Sequence, residues 1–115
     1  MPRRKTPTPL ASALGRRIRQ LREEAGLTIE KLAFESDVRS KGHLSSLEKG
    51  LVMPTVATLA SLAERLEVLV ADIVNDPEAG DRQKLIELSR SLPPGTLRKL
   101  VRELSALKPK RRSSG

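Results

Sequence analysis

Apolar residues recur along this chain with the period of an α-helix rather than that of a strand. Leu10, Leu14, Ile18, Leu21 and Ala25 advance in steps of four, four, three and four, which lines one face of an amphipathic helix. Thr8 is suited to cap that helix, Pro9 to open it and Gly26 to end it. Thr28 caps a short second helix whose Ile29, Leu32 and Ala33 face inward, with Glu30 toward the positive end of its dipole. Ser36 to Arg39 form a tight turn with Val38 tucked beneath it. Ser40 caps a third helix that carries Leu44 and Leu47 and stops at Gly50. Pro54 and Thr55 open a fourth helix with Leu59, Leu62, Ala63 and Leu66 inward, and a fifth turn holds Ile73 and Val74. Five short helices within residues 10–74 leave no room for strands.

A second pattern follows a linker at residues 75–81, NDPEAGD. Leu85, Leu88 and Leu92 step by three and four, SLPPGT breaks the helix at Pro93-Pro94-Gly95, and Leu97, Leu100, Leu104 and Leu107 step by three, four and three. This is the apolar seam of a helix pair over residues 82–107. Helices of about 11 residues are marginal in isolation, so the seam must cover itself against the upstream helices or a second chain. Residues 1–9, MPRRKTPTP, read as a flexible basic arm, and residues 108–115 as a disordered basic tail. The expected class is all-α: a five-helix domain plus a C-terminal helical hairpin.

Composition removes several functions. The 115 residues include no Cys, no Trp, no Tyr, one Phe and one His. Thiolate metal sites, cysteine nucleophiles and multi-His sites within one chain are therefore excluded. No metal or cofactor is expected. No apolar run approaches the roughly 18 residues a membrane span needs. The N-terminus lacks the apolar stretch of a signal peptide, and the absence of Cys fits a reducing cytoplasm. The formal net charge of +8 is distributed as +7 over residues 1–22, −7 over 23–81 and +8 over 82–115. Basic ends suit a polyanion such as double-stranded DNA, whereas the acidic middle warns against inferring DNA binding from pI alone.

Residues 28–50, TIEKLAFESDVRSKGHLSSLEKG, have the helix–turn–helix spacing in which the second helix enters the major groove. Ala33 allows the two helices to approach, Val38 plugs the turn, and Leu44 and Leu47 anchor the second helix. Lys41, Gly42, Ser45, Ser46 and Lys49 are left to point outward. The run LGRRIRQLREEAGLTIEKLA, then HLSSLEKG, then PTVATLASLAERLEV, resembles the lambda-repressor/Cro-like family of helix-turn-helix transcriptional regulators, often called Xre. The resemblance covers about residues 10–74. It implies a five-helix lambda-repressor-like domain that binds operator DNA, usually as a dimer.

That resemblance implies roles for matching positions. Arg22 and Glu48 match a pair that bridges the first and third helices and orients Arg22 beside a phosphate; the plainer reading is a surface bridge worth under about 1 kcal/mol. Lys41, Gly42, Ser45 and Ser46 match base-reading positions, with Lys41 suited to donate to guanine O6 and N7; the plainer reading of Lys41 is a solvated lysine. Thr28, Arg39, Ser40, His43, Lys49, Thr55 and Thr58 are candidates for the phosphate backbone, and His43 is equally suited to half-buried packing. Arg3, Arg4 and Lys5 suit a minor-groove arm or a solvated tail.

Four features depart from the family pattern. Ile29 stands where Gln is common, and Asp37 where a turn Gly is common. Glu67 replaces a common Gly, and Leu69 replaces a capping Ser. The turn SDVRSKGHL is also one residue longer than usual, which shifts the third helix along its register.

The reading is a sequence-specific regulator, a repressor that binds a pseudo-palindromic operator as a homodimer, in the cytoplasm at the nucleoid. Leu85 to Leu107 would form the dimer seam, or else an intrachain hairpin. Two alternatives stand beside it: the antitoxin of a toxin–antitoxin pair, with a protein partner on the C-terminal helices, and an interaction scaffold that no longer reads DNA. No base–nucleophile pair or phosphate-binding Gly loop suggests an enzyme.

Overall fold

A computed structural model describes residues 6–107, and every regular element among them is an α-helix. The basic arm residues Arg3, Arg4 and Lys5 and the tail 108–115 lie outside the described residues. The helices are α1 (Pro9–Glu24), α2 (Ile29–Phe34), α3 (Lys41–Glu48), α4 (Val56–Leu66), α5 (Val70–Val74), α6 (Asp81–Ser89) and α7 (Pro94–Ala106). They form two compact units, one running to Asp76 and the other starting at Pro77.

Local chemistry sets most helix starts in the first unit. Thr8 Oγ1 accepts from Ala11 N–H, Thr28 Oγ1 from Lys31, Ser40 Oγ from His43 and Thr55 Oγ1 from Thr58, at 3.0–3.2 Å. Each bond satisfies one backbone donor that the first helical turn leaves unpaired. At α5 the cap position is Leu69, which has no acceptor; Asp72 Oδ2 instead reaches back to Leu69 N–H at 2.8 Å, half of a capping box. The exits of α1, α3 and α4 repeat one hydrogen-bond pattern. Leu27, Leu51 and Val68 N–H donate to the carbonyls of Arg22, Ser46 and Ala63, while Gly26, Gly50 and Glu67 donate to Glu23, Leu47 and Glu64. This is the Schellman closure, which needs a left-handed residue at its corner.

One core joins the five helices: Ile18, Leu21, Leu32, Ala33, Leu44, Leu47, Leu59, Leu62, Ala63, Leu66 and Ile73, with Leu27 and Val52 from the connections. The α4 face matches the periodicity, whereas the α1 face is rotated slightly. Ala11 and Gly15 are buried, Leu14 is half-buried, and the outer members Leu10 and Ala25 are exposed. Gly15 explains the rotation. A Cβ placed there would stand 2.5 Å from the carbonyl oxygens of Leu47 and Glu48, so α1 lies against the last turn of α3 at backbone distance.

Three polar ties fasten other helices to this core. Buried Arg17 donates from Nε to the Asp72 carbonyl at 2.8 Å, joining α1 to α5. Ser61 Oγ accepts from Asp37 N–H at 2.8 Å, joining α4 to the turn before α3. Arg65 Nε meets Glu35 Oε1 at 2.6 Å across the same boundary.

The second unit contains α6 and α7 with the connection at residues 90–93. The break falls earlier than the Pro93-Pro94-Gly95 expected from the sequence. Pro93 occupies the cap position, while Pro94 and Gly95 belong to α7. Proline at the first helical position loses no hydrogen bond, because that N–H has no intrahelical partner. No residue of α6 or α7 is buried. Leu92, Leu97 and Leu100 are half-buried, whereas Leu85, Leu88, Leu104 and Leu107 are 48–62% exposed. No helix among the described residues is long and apolar enough to cross a membrane.

Candidate nucleic-acid interface

The candidate interface centres on α3, a helix with few large side chains of its own to fix its position. Leu44 and Leu47 are fully buried and hold its inner face. Its last turn is held by an ion pair. Arg22 Nε donates to Glu48 Oε2 at 2.7 Å and Nη2 to Glu48 Oε1 at 3.1 Å, while Nη1 donates to the Leu27 carbonyl at 2.8 Å. The side chains are only 11% and 5% exposed. The Glu48 hydrogen bond outweighs the desolvation that burial imposes, and holds the Arg22 guanidinium above its ordinary pKa. With every terminal nitrogen engaged and little surface open, Arg22 acts on α3 as a positioning residue.

The turn before α3 contains a left-handed residue, Arg39. Its φ is 59°, its N–H donates to the Ala33 carbonyl at 2.7 Å, and Ser40 N–H donates to Val38 at 2.7 Å. The left-handed residue of this turn is thus Arg39 and not Asp37, which stands where a turn Gly is common. A non-glycine residue in this region bears a cost of roughly 1–2 kcal/mol, and the fold accepts it to start α3 at Lys41.

Lys41, Gly42, His43 and Lys49 are exposed along α3, and Ser45 is half-buried. Gly42 meets only Ser40 Oγ within 4 Å of a hypothetical Cβ, so this edge is open. Arg39 and Ser40, just before the helix, are exposed as well. Ser46 is different: it is buried at 8% exposure and does not belong to the outward face assigned to it from sequence. Both α1 and α2 pack on α3, so more of this helix is covered than its own periodicity implies. Thr28 and Thr55 are exposed and Thr58 is half-buried. Their hydroxyls are engaged locally: Thr55 Oγ1 lies 3.0 Å from Thr58 Oγ1. Sequence reasoning missed Gly15 and Arg17; an unexplained glycine inside a helical pattern was the available signal for the first.

One charged contact crosses the face. Lys41 Nζ lies 3.1 Å from Glu30 Oε1 of α2, with both side chains open to solvent at 64% and 71%.

A fold of five short helices with an outward-facing third helix defines a helix-turn-helix domain, and known proteins agree. The family model described as "Helix-turn-helix domain" matches residues 13–73, and the chain belongs to that family. It is 37% identical over 62 residues to the HTH-type transcriptional regulator DdrOP3 of Deinococcus deserti. That match takes in 54% of this chain and 47% of the relative, so the chain spans about half of the relative's length. The crystal structure of the clp gene regulator ClgR from C. glutamicum superposes with a TM-score of 0.56 at 37% identity, covering 62% of this chain and 90% of that one. A SinR protein/SinI protein complex superposes with a TM-score of 0.58 at 26% identity, covering 80% and 94%. The chain thus carries a helix-turn-helix domain like those of these named transcriptional regulators.

Proposed function

We propose that the protein represses transcription as a homodimer that reads a pseudo-palindromic operator, acting in the cytoplasm at the nucleoid. Each α3 lies in the major groove, and two copies stand one helical turn apart, about 34 Å. The observation that carries this reading is the open edge of α3: Lys41 and Gly42 at its start, with Arg39, Ser40, His43 and Lys49 beside them, are all solvent-facing on a helix clamped by Arg22 and Glu48. Lys41 donates to guanine O6 and N7, and Ser45 contributes short contacts at the helix flank. Arg39, His43, Lys49, Thr28, Thr55 and Thr58 hold phosphates and set register without reading sequence. Arg3, Arg4 and Lys5 follow the minor groove. No cofactor and no catalytic step enter.

The homodimer forms through Leu85, Leu88, Leu92, Leu97, Leu100, Leu104 and Leu107. An apolar stripe left open on a hairpin without a single buried residue is what a partner chain would cover. The same openness favours a second reading, an antitoxin whose hairpin is taken by a different protein while the first unit still binds DNA.

Selection of bound duplexes from random DNA, with the mass of the complex measured alongside, tests both. The first reading expects an inverted repeat bound by two copies of the chain. Recovery of single half-sites, or of a stable hetero-complex without a homodimer, favours the second. No enriched sequence at all contradicts DNA reading.

A further inference from the structure

We infer that Glu30 and Lys41 read one base pair together, Lys41 as donor and Glu30 as acceptor, so that Glu30 is a specificity-determining residue of this domain. The inference rests on the proposed placement of α3 in the major groove. Its starting point is geometric: Lys41 Nζ and Glu30 Oε1 sit 3.1 Å apart, both side chains reach solvent, and they come from the first residue of α3 and the second residue of α2.

A carboxylate beside the leading lysine of a groove-entering helix has an electrostatic consequence. Glu30 offsets the charge of Lys41 and is repelled by phosphates, so on arbitrary DNA it opposes binding. It becomes favourable only where the duplex offers it a proton. In the major groove that donor is the N4 amino group of cytosine or the N6 amino group of adenine.

The spacing narrows the choice further. Guanine O6 and cytosine N4 are hydrogen-bonded to one another within a G·C pair, at about 2.9 Å, and both present their remaining capacity to the major groove. A donor and an acceptor that meet at 3.1 Å on the protein are complementary to that couple, with Lys41 over guanine and Glu30 over cytosine. A T·A pair offers the same keto–amino order but lacks the second acceptor, N7, next to the keto oxygen on the lysine side. The reversed pairs C·G and A·T place donor against Lys41 and acceptor against Glu30. The pair therefore distinguishes the orientation of the base pair, which a lone lysine does only through its attraction to guanine.

The test compares the full-length chain with Glu30→Ala and Lys41→Ala on duplexes that carry the selected operator and all four base pairs at each half-site position. The wild-type protein is expected to prefer G·C to C·G at one position by about tenfold or more, in line with one good base contact. Glu30→Ala should reduce that preference several-fold at the same position that Lys41→Ala affects. It should also raise affinity for non-specific DNA, because a repelled carboxylate has been removed. A preference that survives Glu30→Ala within a factor of two, while Lys41→Ala abolishes it, overturns the paired reading and leaves the DNA-binding reading intact. Loss of binding at all sequences with unchanged helical signal also overturns it, by making Glu30 a support of the domain rather than a reader. Absence of any base preference in the wild-type chain overturns both.

Discussion

Arg22 closes on Glu48 through two guanidinium nitrogens, at 2.7 and 3.1 Å, and hands its third to the Leu27 carbonyl. One side chain thereby ties the last turn of α1 to the end of α3 and to the connection before α2. Breaking a buried pair from one side strands the other charge, which costs about 3 kcal/mol or more. Glu48→Ala and Arg22→Ala are each expected to lose about that much stability in urea titrations. The double replacement Arg22→Met with Glu48→Leu should lose clearly less than either single change, since no charge is then stranded.

Gly15 makes a second prediction about the same helix. Its missing Cβ leaves room for the backbone of Leu47 and Glu48, and an added methyl would stand 2.5 Å from two carbonyl oxygens. Gly15→Ala must push α3 away from α1. Overpacking of this kind costs about 1–3 kcal/mol, against a gain in helix propensity below about 1 kcal/mol. Thermal unfolding should shift downward, and operator affinity should fall more than the stability loss alone explains, because α3 is displaced.

Arg39 and Glu67 are the non-glycine residues with positive φ among those described, at 59° and 57°. Glycine at either position removes the left-handed penalty but adds freedom to the unfolded chain, leaving a net gain of up to about 1 kcal/mol. Glu67→Gly should stabilise without changing DNA binding. Arg39→Gly should stabilise as well, yet flatten the logarithmic salt dependence of binding by about 0.9 for each phosphate that is no longer neutralised. An unchanged salt slope would remove Arg39 from the phosphate-binding set.

The leucine seam gives an assembly prediction. Leu88 and Leu104 are 55% and 48% exposed. Replacing both with Glu places charge where a second chain would pack, so sedimentation should report a monomer. The unfolding transition of the first unit should stay within about 0.5 kcal/mol, as expected for surface changes away from its core. Persistence of the dimer would move the interface elsewhere.

Much of this fold is legible from local chemistry. Thr8, Thr28 and Ser40 each accept the expected backbone bond because capping involves neighbours three residues away. Leu59, Leu62, Ala63 and Leu66 are buried because α4 presents one face to the core. Legibility ends where helices meet from different parts of the chain. Arg17 is polar by type yet buried, since its bond acceptor, the Asp72 carbonyl, is 55 residues away. Ser46 falls on an outward position of the pattern but inside the packing of α1 and α2 on α3. The left-handed residue of the turn before α3 falls at Arg39, where the backbone bond to the Ala33 carbonyl is made.

Whether α3 lies on the edges of base pairs is tested most directly by backbone amide shifts of the full chain titrated with its selected duplex. The account predicts the largest changes from Arg39 to Ser45, with smaller ones at Thr55 to Thr58 and near Lys49. Changes concentrated instead around Phe34 and Val56, or along the leucine seam, with α3 silent, would contradict it.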